Sequence, residues 1–335
     1  MVGGVLFVVL AVLVVTLRVP YVILSPGPTL NTLGSDDQGQ SIITISGRPA
    51  NPTTGHLNLT TVDVSTAPVT VFGALAGWLE HDEVVVPRDS IYPPGQSTQQ
   101  VNQQDTQDFI GSQDNAQAAA FCELGYPKGI EVGQVAATSK ARGVLQPGDQ
   151  FISFNGSPTT TSDQLLAELQ AAVPGSDATV LVKRDGVSRS LSVPLSKPIT
   201  GTKGASIGID IVAGCVAPFQ VQLGLANEIG GPSAGLMFAL GIMDKVGTVD
   251  LTKGRFIAGT GTIDGTGAVG PIGGIQLKMI AARKAGATVF LAPAGNCSDV
   301  VNAIPKGLAV VKVDTLHDAV ADLLAVQQDK AVPHC

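Results

Sequence analysis

The opening run of this chain, MVGGVLFVVLAVLVVTL, carries no charge and a single hydroxyl, Thr16. Continued through Arg18 and Pro20 to Leu24, it gives about 23 residues, or ~34 Å as a helix, enough for a bilayer core. Arg18 can snorkel to the interface, with Tyr21 beside it. A cleaved signal peptide fits less well: no A-x-A-like site follows the apolar run and no basic stretch precedes it. Residues 1–24 are therefore expected to form a retained, single-pass transmembrane anchor, with the rest of the chain outside the cytoplasm.

The remainder is long enough for two or three domains, since the chain has 335 residues. Hydrophobic residues make up 44% and aromatic residues only 4%, so the core must be built mostly of Ala, Val, Ile and Leu. Forty glycines and 21 prolines predict many turns and short strands. A formal net charge of −7 argues against nucleic acid as a partner, since phosphate binding needs a basic face. There is no Cys/His cluster at metal-ligand spacing, so no metal is expected. The four cysteines permit one or two bridges.

Along the chain, SIITI, HLNLTTVDV and PVTVF read as strands, and Phe72 to Leu79 as a short helix. Asp89 to Thr106 is polar and rich in Pro and Gln, which predicts a loop. Ser112 to Leu124 reads as a helix, with Ser112 as its cap. Gly129 to Leu195 has its own character. A strand (GIEVGQV) precedes a strand pair broken by Pro-Gly-Asp and Asn-Gly turns (GVLQPGDQFISFNG). An amphipathic helix (Ser162 to Ala172) then leads into a hairpin with Asp185-Gly186 at its turn. This order resembles a PDZ domain. The resemblance implies a peptide-capturing loop near Tyr126 to Ile130, with Gly129 and Ile130 as binding residues and an added peptide strand as ligand. Beyond Pro198, short strands alternate with helices at Pro232 to Lys245, Ile275 to Ala285 and Thr315 to Gln327, an α+β or α/β layer pattern.

The glycine-rich last third offers competing motifs. Gly265-x-Gly267-x-x-Gly270 has dinucleotide-fingerprint spacing, but Pro271 follows at once and no helix opens at the third glycine. No G-x-x-x-x-G-K-[ST] is present, so a P-loop ATPase is not expected. Gly231-x-Ser233-x-Gly235 matches a nucleophile elbow, which would need His317 with Asp299 or Asp264 as triad partners. A second reading pairs Ser233 with Lys278, which sits among Ile275, Leu277, Met279, Ile280, Ala281 and Ala282. Burial there would lower the pKa of the lysine and free it to take a proton from a serine hydroxyl.

GGPSAG, with Ser233, and PIGGIQLKMIAARKAGA, with Lys278 45 positions later, together resemble the proteolytic domain of the Lon family. The resemblance implies a Ser233–Lys278 dyad, a supporting Thr260, and oxyanion or turn roles for Gly231, Pro232 and Ala234. The acidic residue that the family places three before its serine is Gly230 here, with Glu228 nearby. GHLNLTTVDV and SQDNAQAAAF resemble the opening strand and helix of the same domain. The resemblance thus divides the chain into an anchor (1–24), a first Lon-like part (25–124), a PDZ-like insertion (125–197) and a second Lon-like part (198–330). It implies an α+β fold and an ATP-independent serine endopeptidase of the membrane-anchored PDZ/Lon-like kind, the alternative being a non-catalytic PDZ adaptor on a degenerate Lon-like domain. Protein or peptide substrates, no cofactor and possible homo-oligomeric rings are implied too. Of the cysteines, Cys215 and Cys297 both fall in the second Lon-like part, and a bridge between them is expected.

Overall fold

The computed structural model of the chain describes residues 2–36, 38–65, 68–198, 203–225 and 229–335. The apolar opening run forms α1 (Val2–Thr16) and stops there. Pro20 lacks a backbone N–H and disfavours helix at Val19. The next residues, Tyr21, Val22 and Ile23, are aromatic and β-branched, and they open β1 (Tyr21–Asn31). Residues 21–24 thus belong to a sheet and not to an anchor. Among the described residues, no helix is long and apolar enough to cross a membrane.

The chain continues through β2 (Ile43–Ser46), β3 (His56–Val64), α2 (Val71–Leu79) and β4 (Val84–Pro87). The expected strand at PVTVF is instead the start of α2. Thr70 caps it, its hydroxyl accepting the Gly73 N–H at 3.1 Å. The second half of the loop expected at 89–106 is also helix: α3 runs Thr98–Glu123. Ser97 and Gln100 form a reciprocal capping box that nucleates it early.

From there the chain builds β5 (Lys128–Val135), β6 (Gln150–Phe154), β7 (Ser157–Pro158), α4 (Ser162–Ala171), β8 (Asp177–Arg184), β9 (Val187–Pro194) and β10 (Ile209–Cys215). These strands make an antiparallel sheet ordered β10-β5-β6-β8-β9, with β7 on β6. Asp185 and Gly186 both take positive φ (52° and 78°), as a two-residue hairpin turn of this kind requires. Asp149, of the Pro-Gly-Asp turn, is fully buried and paired with Arg184 at 2.6 Å.

The last third supplies β11 (Gln220–Leu223), which pairs with β2, then α5 (Gly235–Val246), β12 (Phe256–Gly259), and a small hairpin of β13 (Thr262–Ile263) and β14 (Val269–Gly270). After it come α6 (Ile275–Ala285), β15 (Val289–Pro293), α7 (Cys297–Val300), β16 (Ala309–Val313) and α8 (Leu316–Gln327). The main sheet is mixed, ordered β16-β15-β12-β3-β1-β4, and the fold is α+β. Alternation along its strands sends Leu57, Leu59, Ile257 and Leu291 to one face, against α3, α5 and α8. Ala258, Phe290, Ala292 and Val310 go to the other, against α6 and α7. Helix α5 is buried along its whole length, which suits its nearly uncharged sequence.

The disulfides are Cys122–Cys215 and Cys297–Cys335, so the expected Cys215–Cys297 bridge is not formed. Packing decides this. The end of α3 lies against β10, bringing Cys122 to Cys215 with a Cα separation of 4.9 Å. The C-terminal tail runs along β16, where Lys312 donates its N–H to the Pro333 carbonyl and His334 bonds the Val310 carbonyl. That path delivers Cys335 to Cys297 at the head of α7.

Candidate active site

The main sheet holds two helix starts next to each other. On one face, residues 230–234 lead into α5, and Ser233 sits two residues before its first turn. Gly231 has φ +81°, a backbone conformation that side-chain-bearing residues rarely adopt. Its N–H donates to the Asp105 carbonyl at 2.9 Å. Gly235 is required for a different reason. A Cβ there would lie 2.7 Å from Ser112 Oγ and 2.8 Å from Ile263 Cγ2. Ser112 in turn donates its hydroxyl to the Pro232 carbonyl at 2.9 Å. The approach to Ser233 is therefore clamped by two residues of α3. On the other face, Gly274 opens α6 in the left-handed region, and Lys278 follows one turn later, only 4% exposed.

Lys278 Nζ lies 2.7 Å from Ser233 Oγ and 3.1 Å from Thr260 Oγ1. Thr260, fully buried between β12 and β13, donates its hydroxyl to the Ser233 carbonyl at 3.0 Å. Its oxygen lone pairs are thereby left facing Nζ. Burial lowers the Lys278 pKa to about 8, and among the described residues no carboxylate pairs with it to raise it again. Glu228 lies outside the described residues.

The pair opens into a cleft of about 620 Å³. Leu24, Pro28 and Leu30 of β1, Leu59 to Val64 of β3, Val101 and Asp105 of α3, and Gly273 and Gly274 line it with Ser233 and Lys278. Burial and the neighbouring Asp108 raise the Asp105 carboxyl above its ordinary value.

The structure does not bring the other sequence-derived candidates to Ser233. His317 is exposed in the first turn of α8, where its Nδ1 contacts Glu123 Oε1 at 2.7 Å. Asp264 accepts the N–H groups of Thr266 and Ala268 in the turn between β13 and β14. The same turn holds Gly265 and Gly267, with Gly270 ending β14, so the dinucleotide spacing is that of a hairpin. Asp299 lies in α7. The serine–histidine arrangement is thus not formed.

Pro232 has no N–H and Gly231 donates its own to the Asp105 carbonyl, so both shape the turn into Ser233 and neither offers an N–H to an oxyanion. Gly129 and Ile130 fall inside β5, in register with Gly214 and Ala213 of β10, and Ile130 is fully buried. That stretch is a paired strand and not an open peptide-capturing loop. Asp105 and Ser112 belong to the site although no motif in the sequence marks them. The capping box at Ser97 and Gln100 is the local signal that a helix begins early enough to carry both to this position.

A serine hydroxyl at a helix start, bonded to a buried lysine that meets no carboxylate among the described residues, is the arrangement a serine–lysine hydrolase needs. In agreement, residues 226–326 match the Lon protease (S16) C-terminal proteolytic domain, and residues 98–195 match the PDZ domain. Similar relatives include a Lon protease of Campylobacter concisus, 35% identical over 29% of this chain and 12% of its own length. Another is a Lon protease of Roseiflexus castenholzii, 28% identical over 42% of this chain and 18% of its own. Lon protease 2 of Bacillus subtilis is 32% identical over 29% of this chain and 17% of its own. The matched region thus spans less than a fifth of these relatives. Among solved structures, the PDZ domain of an SdrC-like protein from Listeria monocytogenes aligns with 25% of this chain and 87% of its own at 21% identity, with a TM-score of 0.23. The chain thus carries a region similar to the Lon protease (S16) C-terminal proteolytic domain together with one similar to the PDZ domain.

Proposed function

We propose that the chain is an ATP-independent serine endopeptidase in which Ser233 is the nucleophile and Lys278 the general base. The observation that carries this reading is the 2.7 Å contact between Ser233 Oγ and a lysine buried enough to titrate near 8. At pH 7 such a lysine is neutral in about a tenth of molecules, against roughly 0.04% for an unperturbed one. The neutral Nζ takes the Ser233 proton as Oγ attacks a peptide carbonyl. The N-terminus of α5, through the N–H groups of Ser233 and Ala234, faces the negative charge that develops on the carbonyl oxygen. The Lys278 ammonium then gives its proton to the departing amine, and water repeats the step on the acyl-enzyme. Thr260 holds Nζ on the Ser233 side.

The PDZ domain is read as recruiting or gating protein substrates, with no chemistry of its own. Helix α1 is read as the membrane anchor, with the catalytic part outside the cytoplasm. The two disulfides support this placement, since such bonds persist in oxidising compartments.

The test is cleavage of an unstructured protein by purified chain. Ser233→Ala and Lys278→Ala should each abolish turnover, and the double variant should be hardly worse, because the two groups act as a unit. Lys278→Arg should be as damaging, since a guanidinium keeps its proton. Near-normal turnover in Lys278→Arg would overturn the mechanism.

A further inference from the structure

Helix α2 presents its side chains in the reverse of the usual order. Its small residues, Ala74 and Gly77, face the protein, and a Cβ on Gly77 would lie 2.9 Å from Val85 Cγ2 of β4. Its large apolar residues face out: Phe72 is 59% exposed, Leu75 47%, Trp78 59% and Leu79 81%. At about 100° per residue these four fall within a stripe roughly 120° wide. The helix contains no charged residue. Trp78 is held edge-on against Tyr21, with ring centroids 6.2 Å apart.

This stripe is continuous with α1. Val71 donates its N–H to the Leu17 carbonyl and Val19 donates to the Val69 carbonyl, so the end of α1 and the start of α2 are joined at one base. The two helices also pack against each other. On α1 the exposed apolar residues include Val5, Phe7, Val9, Val12, Leu13 and Val15. At helical spacing they spread over about 240° around the axis, twice the width of the α2 stripe. A protein partner covers one stripe of a helix, whereas lipid covers all of it.

We infer that α2 is a second lipid-contacting element, lying in the membrane interface with Phe72, Leu75, Trp78 and Leu79 inserted, and that it seats the main sheet against the bilayer. This rests on the reading of α1 as the anchor. An interfacial helix of this type buries its apolar face ~5–10 Å into the boundary between headgroups and acyl chains. Amphipathic aromatic rings such as those of Trp78 and Tyr21 favour that depth. The segment after α2 carries Glu80, Asp82 and Glu83, so the contact is apolar and gains nothing from anionic headgroups.

Trp78 is the only tryptophan, so its fluorescence reports on α2 alone. The full chain is reconstituted in phosphatidylcholine vesicles, with and without brominated acyl chains. Brominated lipid should quench Trp78 strongly, iodide in the water should quench it little, and added phosphatidylserine should change neither. In Leu75→Glu/Leu79→Glu, bromolipid quenching should be lost, while α1 keeps the chain floating with vesicles and Ser233-dependent peptide cleavage continues. If the chain floats but Trp78 is open to iodide and silent to bromolipid, α2 is not in the membrane although α1 is. A chain that does not float at all overturns the α1 reading and this one with it. Trp78 shielding that appears without lipid and grows with protein concentration would assign the stripe to a second copy of the chain and overturn the proposal. So would a double-glutamate variant that stays fully quenched.

Discussion

Lys278 differs from a surface lysine in being desolvated with no compensating counter-charge among the described residues. Lys284, six residues later on α6, has a 61% exposed side chain and pairs with Asp82. Lys278 is buried beside two hydroxyls, and its folded-state pKa of about 8 lies below its ordinary value of 10.5. The sign of the linkage follows. Between these two values the unfolded chain binds more protons than the folded one, so stability rises with pH across that window. Below pH 8 the full cost of burying the charge is present, about 3 kcal/mol for a shift of this size. Lys278→Met should therefore be inactive yet more stable at pH 7, by about 1–3 kcal/mol once the lost hydrogen bonds are counted. Thermal unfolding scans should show that gain shrinking as pH rises from about 8 to 10.5. Turnover by the unsubstituted chain should instead rise with pH through about 8 as Nζ deprotonates. Lys284→Ala, altering only a surface ion pair, should leave both profiles nearly unchanged. An equal activity loss in Lys284→Ala would point to a general effect of α6 charge, not to the dyad. This residue pair was legible in the sequence because each member carries its cause locally: a glycine-proline turn before an apolar helix for Ser233, and apolar neighbours for Lys278.

At the scale of elements, α3 joins the PDZ-like sheet to the main sheet, and it carries a titrating contact there. Glu131 of β5 is 9% exposed, accepts a hydrogen bond from Gln117 of α3 at 3.0 Å, and has Asp114 close by, itself near Asp210. Burial first, and then the charge of Asp114, push its pKa up from 4.5 to about 7. The folded state therefore holds a proton that the unfolded state has lost between pH 4.5 and 7. Stability is fully present below that window and falls as pH rises through it. Glu131→Gln keeps the partner for Gln117 and removes the charge. It should raise the unfolding free energy at pH 8, by about 2–3 kcal/mol, and change it little at pH 4. An equal effect at both pH values would mean packing, not ionisation, is responsible. The helix at 112–124 and the strand holding Glu131 could be read from the sequence but their contact could not, and residues 89–106 look like a loop there. Their Gln, Asn and Asp residues are poor guides to structure, and the apolar periodicity that marks a buried helix face is weak there. The cap at Ser97 and Gln100 outweighed that composition. The end of the apolar opening run went the other way. Hydropathy alone continued it to Leu24, but Pro20 and the pairing of Tyr21 to Leu24 with β4 turned those residues into sheet.

At the scale of the whole molecule, the main sheet is assembled from distant parts. Strand β3 lies parallel to β12, with His56 opposite Phe256 across the entire PDZ-like region. Local patterns mark such strands but do not say which of them pair, and the same holds for the cysteines. Each disulfide records a long-range approach: Cys122–Cys215 closes 93 residues and ties α3 to β10, whereas Cys297–Cys335 closes 38 and ties the C-terminal tail to α7. By loop-closure entropy, the first should contribute about 4–5 kcal/mol and the second about 4 kcal/mol. Neither bond involves Ser233, Thr260 or Lys278, which are joined by their own side-chain hydrogen bonds. Cys122→Ser/Cys215→Ser should therefore keep peptide cleavage at moderate temperature while its unfolding midpoint drops. Its β5 and β10 amides should exchange faster with deuterium, because the covalent tie between the PDZ-like sheet and the main body is gone. Cys297→Ser/Cys335→Ser should lower the midpoint without changing exchange in β5 and β10, loosening β16 and the tail instead. Peptide mapping without reductant should recover the 122–215 and 297–335 pairs from the unsubstituted chain. Recovery of a 215–297 pair, or exchange in β5 that ignores the 122–215 bond, would show that this bond does not hold the PDZ-like sheet in place.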